Sequence, residues 1–188
     1  MVKNILIMGA AGKDFHVFNT CYREDPSSRV VAFTATQIPH IEDRKYPAVL
    51  AGPLYPEGIQ IHPEEELVRL IKEFSVDAVV FAYSDVSNEY LAGRRAKVEA
   101  TGARFSTFDV DSTMLQSSKP VIAVVAVRTG CGKSQTSRKI VDLLRGRGLK
   151  TIAIRHPMPY GDLAKQAVQR FATVDDLKKH DCTIEEME

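Results

Sequence analysis

Val127-Arg128-Thr129-Gly130-Cys131-Gly132-Lys133-Ser134 is the stretch on which the reading of this chain turns. It follows an apolar run, Pro120 to Ala126, and opens a segment of helical composition, Ser134 to Leu144. Apolar strand, glycine-bearing loop, Gly-Lys-Ser and helix, in that order, are what a phosphate-binding loop requires. The backbone N–H groups of such a loop converge on a polyphosphate, helped by the positive end of the helix dipole. Thr129, Gly130, Cys131, Gly132, Lys133, Ser134 and Gln135 are therefore the expected nucleotide contacts. Lys133 would reach the β- and γ-phosphates, and the Ser134 hydroxyl would complete the coordination of Mg²⁺. The expected ligand is a nucleoside triphosphate.

The loop departs from the standard pattern, which wants glycine six residues before the lysine, where this chain has Val127. It fits the deviant form x-K-G-G-x-G-K-[S/T], with Arg128 at the signature lysine and Thr129 in place of the first glycine. In that wider class the signature cation reaches a nucleotide across a dimer interface. Arg128 has the planar fork to grip phosphate bidentately; the alternative is a solvated loop arginine. Cys131 occupies a variable position of the loop and is not expected to act as a nucleophile.

The chain has 188 residues, room for one domain and part of another at roughly 100–200 residues each. Its 44% hydrophobic and 26% charged content is ordinary for a globular protein, and a net charge of +1 gives no reason to expect nucleic acid or a membrane surface as partner. No apolar run approaches the roughly 20 residues of a membrane span. The start, Val2-Lys3-Asn4-Ile5-Leu6-Ile7-Met8-Gly9, reads as a strand entering a glycine turn and not as a targeting segment. Cys21, Cys131 and Cys182 lie far apart without metal spacing, which suits a reducing cytoplasm.

From the N-terminus, strand-like and helix-like segments alternate. Strands are expected at 3–8, 29–36, 77–83 and 103–107, with a short one at 58–62. Helices are expected at 15–23, 63–74 and 86–101. In the second, Leu67, Leu70, Ile71 and Phe74 carry the i, i+3, i+4, i+7 spacing of a buried face, and Glu64-Glu65-Glu66 suits the helix's positive end. This β-α-β alternation predicts an α/β fold with a Rossmann-like, doubly wound parallel sheet over residues 1–115.

Periodicity stops near residues 109–119 and restarts with a strand expected at 121–127, the loop, a helix at 134–144 and a strand at 151–155. Residues 119–188 thus read as the beginning of a P-loop nucleotide-binding α/β domain, with further helical segments from Asp162 and Val174. Two strand-like runs are fewer than such a sheet needs, and no later Asp ends an apolar strand. The expectation is a fragment of a longer protein, or a subunit completed by a homodimer partner or a second chain.

Three further stretches are candidates. Gly9-Ala10-Ala11-Gly12-Lys13-Asp14-Phe15-His16 stands where a Rossmann phosphate loop would, but without the G-x-G-x-x-G spacing. Gly9, Gly12, Lys13 and His16 are candidates for a small anion; alternatively, Asp14 caps a plain glycine turn. Arg155 and His156, expected at a strand's carboxyl end, are candidate cations for an anionic substrate or the transferred phosphoryl group. Asp162 would assist Mg²⁺ or cap the next helix. Tyr83-Ser84-Asp85 ends the first unit's central strand, with Asp85 read chiefly as a helix cap.

Together, Gly-Ala-Ala-Gly-Lys-Asp-Phe-His at 9–16, Arg-Thr-Gly-Cys-Gly-Lys-Ser-Gln at 128–135 and Arg-His-Pro-Met-Pro-Tyr-Gly-Asp at 155–162 resemble the cyclic 2,3-diphosphoglycerate synthetase family, with Gln166-Ala167-Val168-Gln169-Arg170-Phe171-Ala172 continuing the likeness. The resemblance implies an ATP-dependent, Mg²⁺-requiring synthetase that closes a phosphoanhydride within 2,3-bisphosphoglycerate or a related anion, releasing ADP and phosphate. Positioning and charge neutralisation would supply most of that catalysis, with Lys133, Arg128, Arg155 and His156 as the catalytic cations. Other readings stay open: a P-loop GTPase or ATPase switch, a metallocentre-assembly protein, or a catalytically incomplete nucleotide-binding fragment.

Overall fold

The computed structural model describes residues 2–10, 12–36, 44–83, 86–126, 130–155, 162–180 and 182. These divide into two compact units, parting between Met114 and Leu115, and the later residues 162–167 belong to the first.

The first unit is a six-stranded sheet in the order β3-β4-β2-β1-β5-β6. Its strands are β1 (Lys3–Met8), β2 (Ser28–Ala35), β3 (Lys45–Tyr46), β4 (Ile59–Pro63), β5 (Ala78–Phe81) and β6 (Arg104–Thr107). All pair in parallel except the edge strand β3, which runs antiparallel to β4. The chain winds outward from β1 through β2 to β4, then crosses back over β1 to β5 and β6. The doubly wound α/β fold expected from the sequence is the fold observed. Its direction of winding reverses at β1, so the carboxyl ends of β1 and β5 flank the switch point where such sheets form a crevice.

Strand alternation sorts the core into two layers. Ile5, Ile7, Phe33 and Val80 face one side, where α1 (Lys13–Cys21) inserts Phe15 and Phe18. Phe15 stacks on Tyr46 at 4.5 Å and meets Phe33 edge-on at 5.1 Å. Phe18 and Phe33 are fully buried, each worth about 1.5–3 kcal/mol over exposure. Tyr46 lies in β3, which with α2 (Ala48–Ala51) falls in a stretch where no element is expected from the sequence; a two-residue strand is too short to show alternation.

The opposite face holds Leu6, Met8, Val79 and Phe81 against α3 (Leu67–Glu73) and α4 (Asn88–Glu99). Leu67, Leu70 and Ile71 are buried, as their helical spacing requires. The acidic residues before them form a separate 3-10 turn, Glu64–Glu66, and not the first turn of α3. A short helix, α5 (Val110–Thr113), closes the unit, started by the Asp109 carboxylate accepting from the N–H groups of Asp111 and Ser112.

The second unit contains α6 (Lys133–Gly146) and α7 (Asp175–Lys179). The strands expected at 121–127 and 151–155 are not formed: the described residues 121–126 and 151–155 carry no strand pairing and are largely exposed. Their composition is that of buried strands, but no neighbouring strand among the described residues supplies the partner a ladder needs. The helix expected from Asp162 is a single turn, in which Asp162 accepts from the N–H groups of Ala164 (2.9 Å) and Lys165 (3.2 Å). Among the described residues, no helix is long and apolar enough to cross a membrane.

Candidate functional site

Gly130 and Gly132 both adopt left-handed backbone, with φ of +80° and +81°. A side chain at either position would be strained, so the sequence meets the turn with glycine at both. Gly132 is the residue before α6, and Lys133, Ser134 and Gln135 form the helix's exposed first turn. No side chain caps this end and no acidic residue lies in its first turn. The first N–H groups of a helix have no partner within it, and the dipole makes that end positive. Gly132, Lys133 and Ser134 therefore present an uncapped donor cluster, an ammonium and a hydroxyl at one helix start. Such a set suits a polyphosphate, with Ser134 available to Mg²⁺.

Arg128, Thr129 and His156 lie outside the described residues. Arg155 is exposed in the second unit. Asp162 falls in the first unit, where its carboxylate serves as the cap described above. Among the described residues no cluster of three His, Cys, Asp or Glu side chains is arranged to hold a metal ion.

The glycine turn of the first unit is occupied by its own side chains. Gly9 has φ of +123°, and an added Cβ there would lie 2.6 Å from Asp14 Oδ2. The buried Asp14 carboxylate thus packs onto Gly9 beside the start of α1. Lys13 places its ammonium 4.6 Å from the centre of the Phe108 ring, a cation–π contact. His16 Nε2 lies 2.7 Å from the Thr113 carbonyl oxygen, joining α1 to α5. Lys13 and His16 are therefore turned to packing the end of the unit. Asp85 lies outside the described residues; the cap of α4 is Ser87, whose hydroxyl oxygen accepts from Tyr90 N–H at 3.1 Å.

One cluster escaped the sequence reading. Glu64, 1% exposed, takes the Tyr90 hydroxyl on Oε1 at 2.5 Å, and Arg94 Nε lies 2.6 Å from the same oxygen. Tyr83 stands at the carboxyl end of β5 on this side of the sheet, with its phenol pushed well above the usual tyrosine range, first by burial. Tyr90 and Arg94 sit one helical turn apart on α4, a spacing that could have been paired with the acidic run at 64–66.

The chain is 61% identical over 186 residues to a protein named arginine synthetase from Thermococcus kodakarensis. The match takes in 99% of this chain but 42% of the relative's length. That relative is not a cyclic 2,3-diphosphoglycerate synthetase, and the resemblance drawn from the sequence is corrected accordingly. No family model matches the chain. Among solved structures, UDP-D-quinovosamine 4-dehydrogenase from Vibrio fischeri is 16% identical with a TM-score of 0.42, covering 94% of this chain and 98% of its own. RSP, a Rex-family repressor, in complex with β-NADH is 13% identical with a TM-score of 0.43, covering 79% of this chain and 64% of its own. The fold assignment rests on the strand order and not on these likenesses.

Proposed function

We propose that this chain supplies the ATP-binding phosphate loop of a synthetase that forms arginine. The observation that carries the reading is the paired left-handed Gly130 and Gly132 before the uncapped start of α6, in a chain 61% identical to an arginine synthetase. The chain spans 42% of that relative's length, so the whole activity is assigned to this chain together with the polypeptide that corresponds to the remainder.

Arginine's guanidinium can be built by joining an amine to a ureido carbon, which requires turning the ureido oxygen into a leaving group. In the proposed reaction that oxygen attacks the γ-phosphorus of ATP, a P–O bond forms, and the bond to ADP breaks. The amine lone pair then attacks the carbon, the C–O bond breaks, phosphate leaves and the nitrogen gives up a proton. Lys133 and the loop N–H groups hold the polyphosphate, and Ser134 ligates Mg²⁺. Arg128, Arg155 and His156 are the proposed cations for charge that develops on the transferred group.

The test is a fusion of residues 1–188 to the part of the Thermococcus protein outside the match. Supplied with Mg-ATP, a ureido precursor and ammonia, it is expected to release ADP, phosphate and arginine in equal amounts. ADP release indifferent to the precursor, or release of AMP instead of ADP, would overturn the proposal.

A further inference from the structure

The second unit exposes what its sequence builds to be buried. Val121-Ile122-Ala123-Val124-Val125-Ala126 is a continuous apolar run of the kind found in parallel strands covered on both faces. Yet Val121 is 71% exposed and Val125 84%, while Ile152 and Ile154 in the other run are 78% and 94% exposed. The helix between them, α6, has no buried residue, although Ile140, Leu143 and Leu144 fall on one face at i, i+3, i+4 spacing. Every buried residue among those described lies at or before Thr113. The two runs and this face of α6 are thus apolar segments left exposed, and neither run has a ladder partner among the described residues.

We infer that these two runs are strands of a parallel sheet still lacking their neighbours, and that what covers them is a polypeptide supplying further parallel strands. That polypeptide corresponds to the part of the Thermococcus arginine synthetase outside the match. Two observations select this occupant. The match takes in nearly all of this chain and under half of the relative, which carries more than as much again besides, so stretches corresponding to both runs lie there beside additional chain. A second copy of this chain would bring the same two runs and, among the described residues, only the same helices α6 and α7, leaving a face of any joint sheet short of cover. Two strands with one helix do not hold a parallel sheet alone, which is why neither run pairs here. Addition of strands to exposed edges uses backbone bonds for affinity and alternate side chains for register, and Val125 and Ile154 are among the most exposed apolar side chains of the two runs.

The inference does not depend on the arginine reaction, and its test reads neither ATP nor product. Amide hydrogen exchange is followed at 121–126 and 151–155 in the chain alone, mixed with the separately made complementary polypeptide, and in the covalent fusion. Exchange at these amides is expected to slow about 100-fold or more in the mixture and the fusion. Val125→Asp and Ile154→Asp, both at exposed positions, are expected to leave unfolding of the first unit unchanged while abolishing that protection. Should the complementary polypeptide not fold by itself, the fusion decides. Fast exchange of these amides in the fusion would overturn the inference, as would protection arising in the chain alone through self-association. Full protection in the aspartate variants would overturn it equally.

Discussion

Arg94 Nε stands 2.6 Å from Glu64 Oε1, and the Glu64 carboxylate is buried where the turn after β4 meets α4. The Arg94 Nε–H is not directed along the line to that oxygen, so the contact is an ion pair more than a hydrogen bond; the directed bond to Oε1 comes from Tyr90. The pair ties the turn after β4 to α4, the helix that follows β5, across the strands β2 and β1 between them.

Removing one member of a buried pair strands the other, at a cost of about 3–5 kcal/mol when both are sequestered. Arg94 keeps some exposure, so Glu64→Ala is expected at the lower end, about 3 kcal/mol, in urea unfolding. The double change Glu64→Ala with Arg94→Met is expected to recover most of that loss. A single variant within about 0.5 kcal/mol of the parent would show that the pair holds nothing together.

Gly9 and Asp14 make a second coupled pair. Gly9→Ala must accommodate both a φ of +123° and a Cβ 2.6 Å from Asp14 Oδ2. Destabilisation of about 2 kcal/mol is expected, and Asp14→Ala in the same chain is expected to relieve the steric part. If the two changes add without interaction in a double-mutant cycle, the packing of Asp14 onto Gly9 is not what the glycine serves.

Alkaline titration tests the aromatic core. Tyr22, Tyr46, Tyr55, Tyr83 and Tyr90 all have phenols raised above the ordinary value, with burial the first cause in each. A group whose folded pKa lies above its unfolded one contributes stability that is intact below the unfolded value, about 10 for tyrosine, and fades as pH climbs past it. Phenolate absorbance is expected to lag in the native chain and to return to the ordinary midpoint in denaturant. A native curve that overlays the denatured one would contradict the burial of these rings.

The first unit was legible because its central strands carry buried apolar runs and its helices an apolar face; Leu67, Leu70 and Ile71 announced α3, and Ile5 to Met8 announced β1. What escaped were contacts between residues distant in sequence, such as Glu64 with Arg94, which no local pattern encodes. The glycine turn before α6 was legible for a different reason: left-handed backbone at Gly130 and Gly132 leaves glycine as the natural residue, so the geometry is written in the composition. The strands at 121–127 and 151–155 were read correctly as apolar and wrongly as formed, since pairing depends on neighbours that the described residues do not include. The family resemblance was misdrawn because the stretches that carried it, at 9–16, 128–135 and 155–162, are short and do not by themselves tell one synthetase from another.

The most direct measurement compares arginine formation by the fusion carrying Lys133 with that of its Lys133→Ala counterpart, at saturating precursor and Mg-ATP, with circular dichroism confirming that both are folded. The account predicts a fall of about 100-fold or more in turnover, because the ammonium at the start of α6 opposes charge on the transferred phosphoryl group. Equal turnover in the two proteins would contradict it.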